Sequence, residues 1–423
     1  LTLDAARILG VDGQLGSIAP RKAAHLVVMD GDFHAPDTQV RYVFADGVRF
    51  EYEARPRPRT SSFPKPDQTE KPVRESKDEQ AGEIEADRRP ALRTGGNVLL
   101  RGATVLTVTR GTRADTDVLV LEGKIARLGP RLEAPEGVAV VDGRGMFVMP
   151  GIIDTHCHFA IAGGVNEFSL SVVPEVRVRD VVDGEDVQIY RALAGGVTTA
   201  RLLHGSANVI GGQDAVIKLK YGEVPSRLLL ADAPRGVKFA LGENVKRTDG
   251  RFPNTRLGVE AVLVRAFSEA RAYARMWEAY RKARAEGRTP PEPRRDLRLE
   301  ALADVLRDDL KVHCHCYRAD EILMLLRVAD RFGFKVRSLQ HVLEGYKIAA
   351  EIADHGASCS PFSDWWAYKI EAYDAIPFNA ALLSEAGVSV CLKSDSNELM
   401  RHLYQEAAKC VKYGGLSEKQ ALE

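Results

Sequence analysis

Two histidines set two residues apart, His156 and His158 in "GIIDTHCHF", are the residues of this 423-residue chain with the plainest chemical potential. In an extended strand, residues i and i+2 share a face, so both imidazoles point one way while Thr155 and Cys157 point the other. Two imidazoles on one face can grip one divalent ion at roughly 2.0–2.1 Å each. Taken alone, such a pair fits a surface or core pair equally well. The case for ligation comes from other strand-like runs that end in polar groups: "LKVHCHC" carries His313, "VRSLQH" ends in His341 and "VSVCLKSD" ends in Asp395. The alternation of His313, Cys314, His315 and Cys316 argues against a compact zinc knot. On a strand the two histidines face one way and the two cysteines the other, and one ion cannot reach all four.

These residues need a scaffold that gathers strand ends. From "GIIDTHCHF" onward, short apolar runs alternate with helical stretches: "GVTTARLLHG", "SRLLLADAP", "GVKFALGEN", "LKVHCHC", "VRSLQHV", "GASCSP" and "VSVCLKSDS" complete eight. A charged helical region from about Leu257 to Leu306 separates the fourth and fifth. Strands alternating with helices predict an α/β fold with a parallel sheet, and eight units fit a closed (β/α)8 barrel of the TIM type. In such a barrel the active site lies at the C-terminal strand ends, where these polar groups sit. Before it, "NVLLRGATVLTV", "TDVLVLEGKIARLG" and "VAVVDGRGMFVMPG" predict a small β-sandwich-like domain over residues 96–150. Residues 51–95, rich in Pro and charge, predict a disordered linker that cannot bury enough apolar surface to offset its ordering entropy. The barrel is then residues 151–423.

Fifty-nine basic residues balance fifty-nine acidic ones, which gives no basis for a nucleic-acid or membrane-surface partner. No apolar run approaches the roughly 20 residues that span a bilayer. Six cysteines in so long a chain do not make a disulfide framework.

"MPGIIDTHCHF" resembles the first barrel strand of the amidohydrolase superfamily, with its Asp-x-His-x-His after Pro-Gly. "AGGVTTARLLHGSANVIGGQ", "GVKFALGEN", "VHCHCYRADEI" and "KSDSNEL" are similar to its imidazolonepropionase-like and prolidase-like branch. The resemblance implies metal ligation by His156, His158, His313, His341 and Asp395, with Asp395 also taking the proton from the attacking water. It implies that Lys238, on the fourth strand, is a carboxylated lysine bridging two metals; the alternative for Lys238 is a salt-bridged lysine at the barrel mouth, and Glu243 is a weaker fourth-strand candidate. With one ion, His156, His158, His313 and Asp395 would suffice. Zinc suits the donor set, and manganese or iron is also compatible with it.

A metal-activated water with a carboxylate base predicts hydrolysis of a C–N bond in an amide, cyclic amide or dipeptide-like small molecule. The alternatives are a mononuclear deaminase of a ring amine and a non-catalytic barrel serving as a binding module. His315, one layer nearer the mouth than His313, is a substrate-binding candidate. So are Arg318, Tyr346, Asn208 and Gln213, each equally explained as loop structure. Trp365 and Trp366 either wall a pocket or pack a loop. Residues 1–50 resemble the closing segment of an amidohydrolase, the last helix and small-domain strands, placed ahead of the rest. That order predicts a circular permutant or a piece of a tandem protein with a second copy, and a homo-oligomer is also possible. Residues 17–50 are expected to pair with the sheet of residues 97–150.

Overall fold

β-branched and aliphatic runs become strands wherever a second run can pair with them. The computed structural model describes residues 1–35, 38–53, 83–90, 92–247 and 250–423. Residues 54–82 of the expected linker lie outside the described residues, but both its ends belong to the fold. Among the described residues, hydrogen bonds join nine strands into one mixed sheet: β1 (Leu26–Met29), β2 (Val40–Ala45), β3 (Val48–Glu51), β4 (Leu92–Arg93), β5 (Val98–Leu106), β6 (Thr112–Leu121), β7 (Lys124–Gly129), β8 (Ala139–Asp142) and β9 (Phe147–Pro150). The opening segment is built into its middle, since β1 runs antiparallel to both β2 and β9. β5 pairs with β6 along one edge and with two strands along the other, β8 along Val98–Arg101 and β9 at Thr104–Val105. Gly102, at φ +72, turns the strand between those halves, a conformation that side-chain-bearing residues rarely adopt.

Asp46, in the turn between β2 and β3, binds this sheet to the next. Its carboxylate lies 2.7 Å from His25 Nε2 and 3.0 Å from Lys220 Nζ, with Lys218 as a third partner. Burial would raise the Asp46 carboxyl, but the hydrogen bond and charge of His25 and the two lysines outweigh it and hold it well below the usual carboxylate range. The folded chain therefore binds this proton more weakly than the unfolded chain. The contribution to stability is full above about pH 4 and fades as pH falls below that. We expect Asp46→Asn to lower the unfolding free energy by about 1–2 kcal/mol at pH 7, a gap that narrows in acid. Urea midpoints at pH 7 and pH 3 test this, and equal midpoints at pH 7 would dismiss the clamp.

The second half forms two sheets, one of three and one of five strands, from β10 (Ile152–Cys157), β11 (Val197–Leu202), β12 (Ile210–Gln213), β13 (Ala215–Lys218), β14 (Gly236–Ala240), β15 (Lys311–Cys316), β16 (Val336–His341) and β17 (Ser358–Pro361): β10, β11 and β13 make the first and the rest the second. β10 and β11 are parallel, as are β14 through β17 in sequence order. Val390 bridges Cys359, and Asp395 N donates to His156 O at 2.9 Å, so the last segment returns to the first strand. Two expected strands are not there: "VSVCLKSDS" contributes only the Val390 bridge and otherwise runs as a loop, and the other lies earlier in the chain. "SRLLLADAP" forms a helical turn, Pro225–Leu228, and a loop. Its place between β11 and β14 is taken by β12 and β13, antiparallel to those neighbours. The glycines of β12 let it lie close to His204; a Cβ on Gly211 would sit 2.7 Å from His204 Nδ1.

The charged region is a helical hairpin, Leu257–Ala285 and Leu297–Leu306. Val259, Val262, Leu263, Ala266, Phe267 and Ala270 recur at helical spacing and are buried. Phe267 stacks on Phe334 with centroids 4.4 Å apart, fixing the hairpin beneath β14 to β16. Among the described residues, no helix is long and apolar enough to cross a membrane.

Candidate metal centre

His156 and His158 leave the end of β10 on one face, and each ring is held through Nδ1. His158 Nδ1 lies 2.8 Å from the Leu203 carbonyl, which can only accept. The proton is therefore on Nδ1 and Nε2 keeps its lone pair. His156 Nδ1 lies 3.0 Å from Gln340 Oε1, and its Nε2 is 3.2 Å from that of His158. Asp395 Oδ1 completes the group at 3.4 Å from His156 Nε2 and 3.1 Å from His158 Nε2. His341 Nδ1 stands 3.8 Å from Asp395 Oδ2. His156, His341 and Asp395 each offer a ligand atom, all within 4.8 Å of one another.

Burial pushes His156 and His341 well below their ordinary pKa and keeps them in the neutral form that ligates metals. Burial alone would raise the Asp395 carboxyl, but His156, Lys393 and the His158 hydrogen bond hold it well below the usual range. The Nε2 atoms of His156 and His158 and the Asp395 carboxylate thus converge as a donor set that fits a central cation, with the amines of Lys238 and Lys393 at its edge. His341 and Asp395 both adopt positive φ, +67° and +51°, which costs energy and concentrates at functional sites.

Lys238, on β14, is fully buried with Nζ 3.1 Å from His156 Nε2 and 3.3 Å from the His204 carbonyl. Burial lowers its pKa to about 8, so the neutral amine is far more populated near physiological pH than in an exposed lysine, though still the minor form. On β15 the structure places the two histidines in different surroundings. His313 lies deeper, its Nδ1 2.7 Å from Ser338 Oγ and its Nε2 2.9 Å from Arg201, which pairs with buried Asp214. Both ring nitrogens of His313 thus face Ser338 and Arg201 rather than His156 and Asp395. His315 lies nearer the cluster: its ring centroid is 4.5 Å from that of His341, and neither of its buried nitrogens has a hydrogen-bond partner.

No family model matches the chain. Amidohydrolase tasK of Hapsidospora irregularis is 31% identical over 330 residues, covering 70% of this chain and 34% of that protein, so the chain spans about a third of that relative's length. A dihydroorotase of Citrifermentans bemidjiense is 40% identical over 67 residues, 16% of each chain. The crystal structure of an amidohydrolase from Thermotoga maritima MSB8 superposes with a TM-score of 0.68 at 31% identity, covering 77% of this chain and 85% of that one. The chain belongs to the amidohydrolase superfamily.

Several other expected residues of the chain are engaged elsewhere. Arg318 is bound to Asp320 on the surface, and Tyr346 donates its hydroxyl to the Asp374 carbonyl at 3.0 Å. Asn208 donates to the carbonyls of Glu167 and Leu170, tying down that loop, and Gln213 donates to Pro174 O at 2.8 Å. Glu243 pairs with Arg256 and Lys246. Trp365 does wall the site: it stacks on Phe362 at 4.1 Å, and Phe362 stacks on His341 at 5.1 Å. Trp366 is exposed. The chain also carries a buried lysine that sequence reasoning missed, Lys393, with Nζ 2.6 Å from His341 Nδ1 and 4.0 Å from Asp395 Oδ2. It stands two residues before Asp395, so period-two spacing would have found it.

Proposed function

We propose that the chain is a metal-dependent hydrolase of carbon–nitrogen bonds, acting on an amide, a cyclic amide or a dipeptide-like small molecule. One observation carries this reading: the His156 and His158 Nε2 atoms and an Asp395 oxygen converge within 3.1–3.4 Å of one another. The scaffold we propose is a (β/α)8 barrel in which β12 and β13 together fill the third position. His156, His158, His341 and Asp395 would hold the ion or ions, with His315 in place of His313 as the fifth-strand ligand and Lys238, as a carbamate, bridging to a second. The donor set fits zinc, manganese or iron. When bound, a divalent ion supplies an acidified water and a polarised carbonyl.

The remaining work belongs to the chain. Asp395 takes the proton of the attacking water on its carboxylate and delivers it to the leaving nitrogen. The neutral rings of His156 and His158 stay oriented through Nδ1. The Phe362–Trp365 stack excludes water from one side of the site. Similarity to proteins named amidohydrolase, dihydroorotase and 5-methylthioadenosine/S-adenosylhomocysteine deaminase supports hydrolysis at carbon bound to nitrogen. The test is to strip the purified protein, refill it with zinc, manganese or iron, measure bound metal and assay a panel of N-acyl amino acids, dipeptides and cyclic amides. At least one ion per chain with carboxylate and amine release is expected. Less than one ion per chain would end the reading, and ammonia release without ring opening would point to a deaminase instead.

A further inference from the structure

We infer that a buried hydrogen-bonded chain, Asp214–Arg201–His313–Ser338–Gln340, places the proton of His156 on Nδ1 and so leaves Nε2 open toward the centre, making Gln340 a positioning residue. All five side chains are buried. They start from a charge pair: Arg201 donates to the Asp214 carboxylate, which also accepts from Gly236 N at 3.0 Å. The same guanidinium approaches His313 Nε2 at 2.9 Å.

Direction follows from what each group can do. A guanidinium has five N–H donors, no acceptor, and stays protonated in proteins. His313 Nε2 must therefore accept, which leaves its ring proton on Nδ1. That proton is donated to Ser338 Oγ, 2.7 Å away. Ser338 Oγ has a second acceptor site, and Gln340 Nε2, which can only donate, lies 2.6 Å from it. With its amide nitrogen turned to Ser338, Gln340 presents Oε1 to His156 Nδ1 at 3.0 Å. An amide oxygen can only accept, so His156 carries its proton on Nδ1. Arg201 thus fixes the ring proton of His313, and the Gln340 amide, with its nitrogen turned to Ser338 Oγ and its oxygen to His156 Nδ1, fixes that of His156. The reverse amide orientation would send the proton to Nε2, into the space shared with His158 Nε2 and Asp395.

The arrangement also gives His313 a role. Its strand face is that of His315, but its two nitrogens carry the orientation from Arg201 to Ser338. Groups that orient a ligating imidazole through its other nitrogen are worth about 10–100-fold in metal affinity. Only the naming of His156 Nε2 as a ligand rests on the metal-dependent reading above; the placement of the proton does not.

The experiment uses the full chain labelled with 15N-histidine, free of metal, in long-range 1H–15N correlation spectra. His156 is assigned by its loss in His156→Asn. We expect the Nδ1–H form of His156 in the unaltered chain. Gln340→Met, similar in volume but without an acceptor, should shift it to Nε2–H and weaken zinc binding, measured by chelator competition, about 10–100-fold. Gln340→Glu, which restores an acceptor oxygen, should keep Nδ1–H and hold zinc affinity near that of the unaltered chain. Ser338→Ala removes one hydroxyl and should mix the two forms, which preserves the test if Gln340→Met does not fold. An Nε2–H ring in the unaltered chain, or a tautomer unmoved by Gln340→Met or Ser338→Ala, overturns the inference. A chain that shows the expected tautomers yet takes up no metal sinks the metal-dependent reading and leaves this one standing.

Discussion

Asp395→Asn should lower kcat about 10²–10⁴-fold while leaving bound metal and KM close to those of the unaltered enzyme. The carboxylate can accept a proton from water and release it to a leaving nitrogen. Its Oδ1 faces both Nε2 atoms, while His341 and Lys393 stand by Oδ2. Asparagine keeps the shape and can still offer one oxygen to a metal, but it cannot hold and return a proton. The backbone bond from residue 395 to His156 does not involve the side chain, so the fold should be kept. Steady-state kinetics with metal analysis on the same samples separate the effects. A kcat within about fivefold of the unaltered enzyme would remove Asp395 from the proton path and favour a binding role for the whole site.

The second large effect is expected at Lys238. Replacing it with Met, which fills similar volume without an amine, should reduce bound metal from two ions to one per chain and cut kcat/KM by about 10²-fold or more. Lys238 is buried against His156 Nε2 and the His204 carbonyl, and burial favours the neutral amine that adds to carbon dioxide with loss of a proton. Bicarbonate added during refilling should therefore raise uptake of the second ion by the unaltered chain and leave Lys238→Met unchanged. A short carboxylic acid such as propionate should restore part of the lost activity by standing in for the carbamate. If the unaltered chain takes up a single ion with or without bicarbonate, the mononuclear arrangement holds and Lys238 is a buried donor to His156.

Much of the centre could be seen in the sequence because it obeys the period of a strand. His156 and His158 had to share a face, and His341 and Asp395 ended their runs. The choice between His313 and His315 could not be made that way. Period two puts both on one face, and which layer meets the centre depends on how β15 is staggered against β14 and β16. "SRLLLADAP" looked like a strand because three leucines adjoin, while "IGGQ" did not, because glycine is a poor strand former. There the close approach to His204 decided, a tertiary contact that local preference cannot show. Gln340, Ser338, Arg201 and Asp214 were passed over for the same reason: a polar residue in an apolar run shows its partner only once the sheet has curled. The opening segment was legible as a piece that belongs beside the β-strands after residue 97, and β1 does sit between β2 and β9.

The Arg201–Asp214 pair constrains how this protein can change over generations. Both side chains are buried, and losing either one alone would strand the other charge at a cost of about 3–5 kcal/mol, a large share of the stability of a typical fold. A single substitution at either position is therefore close to lethal for the fold, whereas a simultaneous exchange for two well-packed apolar residues could be tolerated. Lineages that leave this arrangement should have left it at both positions together, and they should carry a different donor to His313 or no histidine there.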